Sequence, residues 1–185
     1  MATQRLTNEI KDQIIDRMVA VIMTPKIEQQ QREYRAYAVA TLNDAMGEFN
    51  QTFVEQLPVA YFCSYSLSIA VPGERGYTEY EHVDTVPDGI RIPHCFQRLT
   101  SNDIDGQAIK GAQQHRRKRL QLESESQELR KTARLTLNQF TTVKQLIDGW
   151  PDVVNYMPEV LQMIERNMPA RRLEALDDLI AKLKG

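Results

Sequence analysis

Apolar residues recur every three or four positions from about Thr7 to Gln56. They alternate from about Tyr65 to Ile92, then return to the helical period from about Asp103 to Leu183. This division predicts long helices at both ends of the chain and a short block of strands between them. In the first stretch Thr7 is the expected N-cap. Ile10, Ile14, Met18, Val21 and Ile22 form one stripe. Pro25 lacks a backbone donor and disfavours helix at Thr24, which predicts a kink or a break there. Tyr34, Ala38, Leu42, Ala45, Phe49 and Phe53 carry the stripe on to about Gln56, with Gln29, Gln30 and Gln31 read as an exposed face.

In the strand block Leu67, Ile69 and Val71 share one face, and Ser66, Ser68 and Ala70 the other. Pro72-Gly73-Glu74-Arg75-Gly76 has the composition of a hairpin loop. The second strand, Tyr77 to Val83, points Tyr80 and His82 one way and Glu79 and Glu81 the other. Pro87-Asp88-Gly89 is a second turn, and Ile90-Arg91-Ile92 a third strand ended by Pro93. Together these predict a three-stranded antiparallel meander, whose apolar face needs helices to cover it.

Ser101, Asn102 and Asp103 are the N-cap candidates for a long helix. Gly106 and Gly111 weaken its first turns by about 1 kcal/mol each relative to Ala. Leu122, Leu129, Ala133, Leu137 and Phe140 make a seam of roughly heptad spacing, as in a coiled coil. Thr141-Thr142 restarts a helix, and Gly149-Trp150-Pro151 forces a corner at which Trp150 is expected to plug a core. Pro158 and Pro169 divide the rest of the chain, and Leu173, Leu176, Leu179, Ile180 and Leu183 give the tail one apolar face. The expected fold is α+β and mainly α: a long antiparallel helical hairpin, a small three-stranded antiparallel sheet and short C-terminal helices. Residues 1–158 are read as one domain with its sheet at about 64–93, and residues 159–185 as an amphipathic helical tail.

Composition narrows the partners. Of 185 residues, 42% are hydrophobic and 26% charged, an ordinary soluble balance. A net charge of -2 gives no global field toward DNA or acidic lipid, so any nucleic-acid contact needs a local patch. Two cysteines, Cys63 and Cys95, do not make a disulfide framework. No apolar core follows the N-terminus, and no apolar run approaches the roughly 20 residues that span a bilayer. The expectation is a cytosolic protein with reduced thiols and no membrane partner.

One stretch carries a resemblance. Thr142-Val143-Lys144-Gln145-Leu146-Ile147-Asp148-Gly149-Trp150-Pro151-Asp152 ends a long charged helix and precedes Tyr156-Met157-Pro158. Leu6-Thr7-Asn8-Glu9-Ile10-Lys11-Asp12-Gln13-Ile14 opens another, and the strand block lies between. Over roughly residues 5–158 this combination resembles a bacteriophage family called nucleotide modification-associated domain family five. The resemblance implies a setting of DNA modification, counter-defence or host takeover, in the cytoplasm of an infected bacterium. It supplies no catalytic residues.

The concentrated basic run is His115-Arg116-Arg117-Lys118-Arg119. It could lie along phosphates, but Glu123, Glu125 and Glu128 follow closely enough to compensate it at i, i+4 spacing. No aromatic residue interleaves with it, as a stacking platform would need, and no recognition helix is evident. His82, His94, Cys95 and Cys63 lack the tight pair spacing of a zinc site. Cys63 with His82 is conceivable as a nucleophile pair but has no third orienting group. Glu79, Glu81, Asp84 and Asp88 with Arg91 could hold Mg²⁺, yet exposed carboxylates also serve to keep a sheet face soluble. Gly73 and Gly76 lack the Lys-Ser/Thr of a phosphate loop. Tyr61, Phe62, Tyr65, Tyr77 and Tyr80 gather around the strands, and those left exposed would mark a contact surface.

The leading expectation is therefore a non-enzymatic phage accessory protein that binds a macromolecule, either a host or phage protein or nucleic acid. Its contact residues are Arg116, Arg117, Lys118 and Arg119 with Tyr77 and Tyr80. No catalytic residue, metal or cofactor is assigned. Enzymatic activity is left open, leaning to none. The alternatives are a small nucleotide-processing enzyme using Glu79, Glu81, His82 and His94, and a homo-oligomeric virion or assembly component.

Overall fold

The structure, a computed structural model, describes residues 4–47, 56–58, 61–63, 67–73, 76–83, 92–157, 178 and 180–183. The described residues are mainly helical. Helices α1 (Asn8–Ile22) and α2 (Thr24–Met46) precede the strands β1 (Phe62–Cys63), β2 (Leu67–Pro72), β3 (Thr78–Val83), β4 (Ile92–Pro93) and β5 (Arg98–Leu99). Helices α3 (Gly106–Leu137) and α4 (Val143–Gly149) follow, with 3-10 turns at His94–Phe96 and Pro151–Tyr156. The chain divides into two compact units, Met1–Ile27 with Gln121–Gly185, and Glu28–Leu120.

In the first unit the Thr7 hydroxyl accepts from the Ile10 amide at 3.3 Å and caps α1, as its position predicts. Ile14, Met18 and Ile22 of the expected stripe are buried. Val21 is exposed, and Ile15 is buried instead, because the apolar face lies slightly round the helix from the predicted one. Lys11 is buried too, with its ammonium donating to the Asn138 side chain at 3.0 Å. The seam of Leu122, Leu129, Ala133 and Leu137 packs in the same core. Asp12 with Arg134, and Asp16 with Arg130 at 2.6 Å, pair in opposite sequence order, so α1 and this part of α3 run antiparallel. Both pairs are exposed and worth at most about 1 kcal/mol each, so the apolar seam holds the helices. Thr142 caps α4, and Leu6 and Val143 donate backbone bonds across to Thr141 and Gln4. Trp150, only 1% exposed, stacks on Tyr156 with ring centroids 5.9 Å apart. Ile180 and Leu183 of the tail belong to this core. The tail positions Pro158, Pro169, Leu173, Leu176 and Leu179 lie outside the described residues.

Helix α2 starts at the predicted break: α1 stops at Ile22, Pro25 occupies the first turn of α2, where its missing N–H costs nothing, and from Glu28 on the helix belongs to the second unit. Helix was expected to about Gln56; α2 ends at Met46, Gly47 follows with a φ of 52°, a left-handed turn that suits glycine, residues 48–55 lie outside the described residues, and Gln56 is again helical. Phe49 and Phe53 lie outside the described residues. Gln30, expected on an exposed face, is buried, and its amide donates to the His115 carbonyl at 3.2 Å. The expected caps of the long helix are also displaced. Asp103 closes a turn on Thr100, and Asp105 takes the Ala108 amide at 2.7 Å before α3 starts at Gly106.

The sheet is the main departure. β2 and β3 form the predicted antiparallel hairpin, from Leu67 opposite Val83 to Pro72 opposite Thr78. Of the expected turn and third strand, Pro87 to Arg91 lie outside the described residues, and the strand that completes this sheet comes later in the chain. Ile92–Pro93 pairs with Phe62–Cys63 in a separate two-stranded ladder, and Arg98–Leu99 lies parallel to β2 on its other side. The sheet is therefore mixed, in the order β3-β2-β5. Pro93 cannot donate to a ladder, which keeps β4 short, and a two-residue strand is too brief to show alternation in the sequence. His94 and Cys95 sit on the intervening 3-10 turn rather than on a strand, and Cys95 is a free, exposed thiol.

Trp150 is the chain's single tryptophan, so its fluorescence reports this first core directly. Trp150→Ala should destabilise the protein by about 3–5 kcal/mol, the cost of emptying a large buried site. Val21→Ala, on the exposed face of α1, should change stability by less than about 0.5 kcal/mol. Urea denaturation followed by far-ultraviolet dichroism separates the two, and similar losses for both would contradict this core assignment.

Candidate nucleic-acid interface

Alternation along β3 sorts its side chains by chemistry. Glu79, Glu81 and Val83 point to one face of the sheet, where Leu67, Ile69, Val71 and Leu99 build the second core. Thr78, Tyr80 and His82 point to the other, and all three are exposed. β3 is an edge strand among the described residues, paired on one side only, with β2.

Glu81 is the critical group. Its side chain is 3% exposed, although the sequence suggested a solvent-facing carboxylate. Helical spacing on α3 brings two guanidiniums to it. Arg119 donates through Nε to Oε1 at 2.8 Å and through NH2 to Oε2 at 3.3 Å. Arg116 lies 3.8 Å from Oε2 and also pairs closely with Glu79. Lys118 pairs with Glu33 of α2 at 2.7 Å, and this bond, with a second from Gln29, lowers the Glu33 pKa. The basic run is thus also compensated across elements, by Glu79, Glu81 and Glu33. Arg117 is exposed and borders a shallow hollow of about 240 Å³ with Pro72, Gly73 and Leu120.

The same clamp fixes aromatic neighbours. Tyr34 donates to the Glu81 carbonyl at 2.9 Å, and burial, then the Glu81 charge, raises its pKa well above the usual phenol range. The His115 ring lies 5.5 Å from Tyr34 and 5.0 Å from Tyr37, and burial lowers its pKa below 6.5. Tyr37 reaches the Ala108 carbonyl and lies so close to Gly111 that a β-carbon there would collide with its hydroxyl. The glycine that weakens the helix is required by this approach.

On the outer face the Ser68 hydroxyl is 2.8 Å from His82 Nδ1, which leaves Nε2 toward solvent. Tyr80 is 38% exposed, and the Arg98 guanidinium carbon sits 5.5 Å from its ring centroid. Tyr77, at the start of the hairpin strand, is 74% exposed. A cleft of about 470 Å³ opens beside β3, lined by Gln30, Gln31, Tyr34 and Arg35 of α2, by Tyr80 to Val83, and by Arg119. Of the predicted contact residues, Tyr77, Tyr80 and Arg117 face solvent, while Arg116, Lys118 and Arg119 are engaged with carboxylates. Of the alternative catalytic set, Glu81 and His82 both border the cleft but point to opposite faces of the sheet, and Glu79 joins the arginine cluster. His94 is exposed on its 3-10 turn. Among the described residues no three His, Cys, Asp or Glu side chains gather to hold a metal ion. Arg98 was missed, because only the parallel pairing of β5 with β2 brings it beside Tyr80.

The family model described as nucleotide modification associated domain 5 matches residues 5–181. No curated protein and no solved structure matches the chain.

Breaking a buried ion pair by removing one partner costs roughly 3–5 kcal/mol. Arg119→Ala should fall at or below the low end, about 2–3 kcal/mol, because Arg116 remains beside Glu81. Adding Glu81→Gln should recover part of that loss, since a neutral amide is easier to bury; additive losses in a double-mutant cycle would rule out direct coupling. The lowered His115 pKa makes a second test. The unfolded chain binds the His115 proton more readily, so stability is full above about pH 6.5 and declines as pH falls from there to the folded pKa. His115→Gln should flatten that part of the stability profile, and an unchanged slope would contradict the assignment.

Proposed function

The chain belongs to the nucleotide modification associated domain 5 family, and on that premise we propose that it is a non-enzymatic binding accessory of phage nucleic-acid modification. The setting is DNA modification, counter-defence or host takeover within the infected bacterium. Nucleic acid is the favoured partner, held by the unit Glu28–Leu120. The observation that carries this reading is the engagement of Glu81. A carboxylate held by two guanidiniums is a poor general base, and Glu79 is paired as well. What the same region offers to solvent is aromatic and cationic: Tyr77, Tyr80, Arg98 and Arg117. Such surfaces suit binding, where aromatic anchors and arginines dominate recognition.

Affinity capture from phage-infected lysate, with and without nuclease, tests the reading. Tyr77→Ala with Arg117→Glu should lower recovery of nucleic acid while leaving the fold intact, because both side chains are exposed. Charge reversal at Arg116, Lys118 or Arg119 is a poor test, since it would break internal pairs. A nuclease-resistant protein partner without nucleic acid would redirect the reading to protein binding. Turnover of nucleotides by the purified chain would contradict the non-enzymatic reading.

A further inference from the structure

The geometry points to a base-stacking platform on the outer face of the sheet, built from Tyr80, His82 and Arg98, that takes unpaired bases of a single-stranded nucleic acid. This rests on the nucleic-acid reading above and specifies the form of nucleic acid bound and the surface that binds it. The register supplies the layout. Arg98, Ser68 and His82 lie in one row across three strands, because Ser68 is opposite both. Tyr80 lies two residues along β3 from His82, opposite Ala70. Ser68 and Ala70 are small and sit under the larger side chains, so two rings stand side by side over a low floor, with centroids 6.4 Å apart.

The chemistry of this face fits bases better than a protein groove. Its rings are exposed, so the ligand covers them without displacing packed side chains. Arg98 backs the Tyr80 ring and adds a positive charge, while the strand's carboxylates, Glu79 and Glu81, point to the opposite face. A polyanion therefore approaches this row past no acid of β3. Stacking on aromatic faces is tolerant of sequence, and it needs bases whose faces are free, which a duplex does not provide. The cleft of about 470 Å³ beside β3 also borders Tyr80 and His82, and the one carboxylate in its lining, Glu81, is neutralised by Arg119. The basic helix run lacks interleaved aromatics, whereas this sheet face combines rings and cation in one place.

The test uses the full chain and a short fluorescein-labelled oligothymidylate, read by fluorescence anisotropy, with a duplex of the same length for comparison. The wild-type protein should prefer the single strand. Tyr80→Ala should weaken binding about tenfold or more, the usual loss of one stacked base. Tyr80→Phe keeps the ring and should restore most of the affinity. Arg98→Gln should weaken binding and reduce its salt dependence. Circular dichroism checks that each variant is folded. If the wild type binds but Tyr80→Ala and Arg98→Gln bind equally well, nucleic acid sits elsewhere and the platform is wrong, while the broader reading survives. If Tyr80→Phe loses as much as Tyr80→Ala, the hydroxyl and not stacking is responsible, which overturns the platform. No binding of single strand or duplex by the wild type overturns both.

Discussion

The second unit depends on one buried carboxylate. Glu81 lies on an edge strand beneath α3, 3% exposed, and is tolerable there because Arg119 and Arg116 meet it from one helix face. A strand's side-chain period is two, so a slip of one residue would exchange its faces. Such a slip would carry Glu81 out to solvent and drive Tyr80 into the core. The guanidinium pair therefore holds the register of β3, and with it the outward presentation of Tyr80 and His82. The bond from Tyr34 to the Glu81 carbonyl ties the same residue to α2, so three elements of the unit converge on one position.

This arrangement changes what the basic segment can contribute. Arg116, Lys118 and Arg119 look in sequence like a surface stripe for phosphates, yet each holds a carboxylate within the unit. Releasing them to a phosphate would uncover Glu79, Glu81 or Glu33. With a net charge of -2, the chain has little electrostatic attraction for a polyanion at long range. On the proposed reading, affinity for nucleic acid comes more from aromatic contact than from counterion release, and its dependence on salt is expected to be shallow for a nucleic-acid binder.

Long-range periodicity made most of the helical architecture legible. Thr7 and Thr142 announced their helices as caps, Pro25 marked the junction of α1 and α2, and the Leu129, Ala133 and Leu137 seam marked a buried face. Trp150 beside Pro151 read as a core plug and is one. The sheet was legible only as far as its hairpin. β5 is two residues long and parallel, so neither alternation nor a turn signal identifies it, and Arg98 went unnoticed with it. The facing of Glu81 and Tyr80 on opposite sides was readable from period two. Which side was buried was not, because the decisive partners, Arg116 and Arg119, lie more than thirty residues away in sequence. Gln30 shows the same limit: a polar residue in a glutamine run is buried because a distant carbonyl accepts its amide.

The central claim is that nucleic acid meets the outer sheet face at Tyr80 and not the carboxylate-paired cations Arg116, Lys118 and Arg119. Photo-crosslinking with a single-stranded oligonucleotide carrying 5-iodouracil, mapped by mass spectrometry, tests it most directly, since the excited base bonds to an aromatic ring in contact with it. The account predicts adducts on Tyr80 and its strand neighbours. Adducts confined to the segment from Arg116 to Arg119, or spread without preference over the exposed tyrosines Tyr61, Tyr77 and Tyr80, would contradict it.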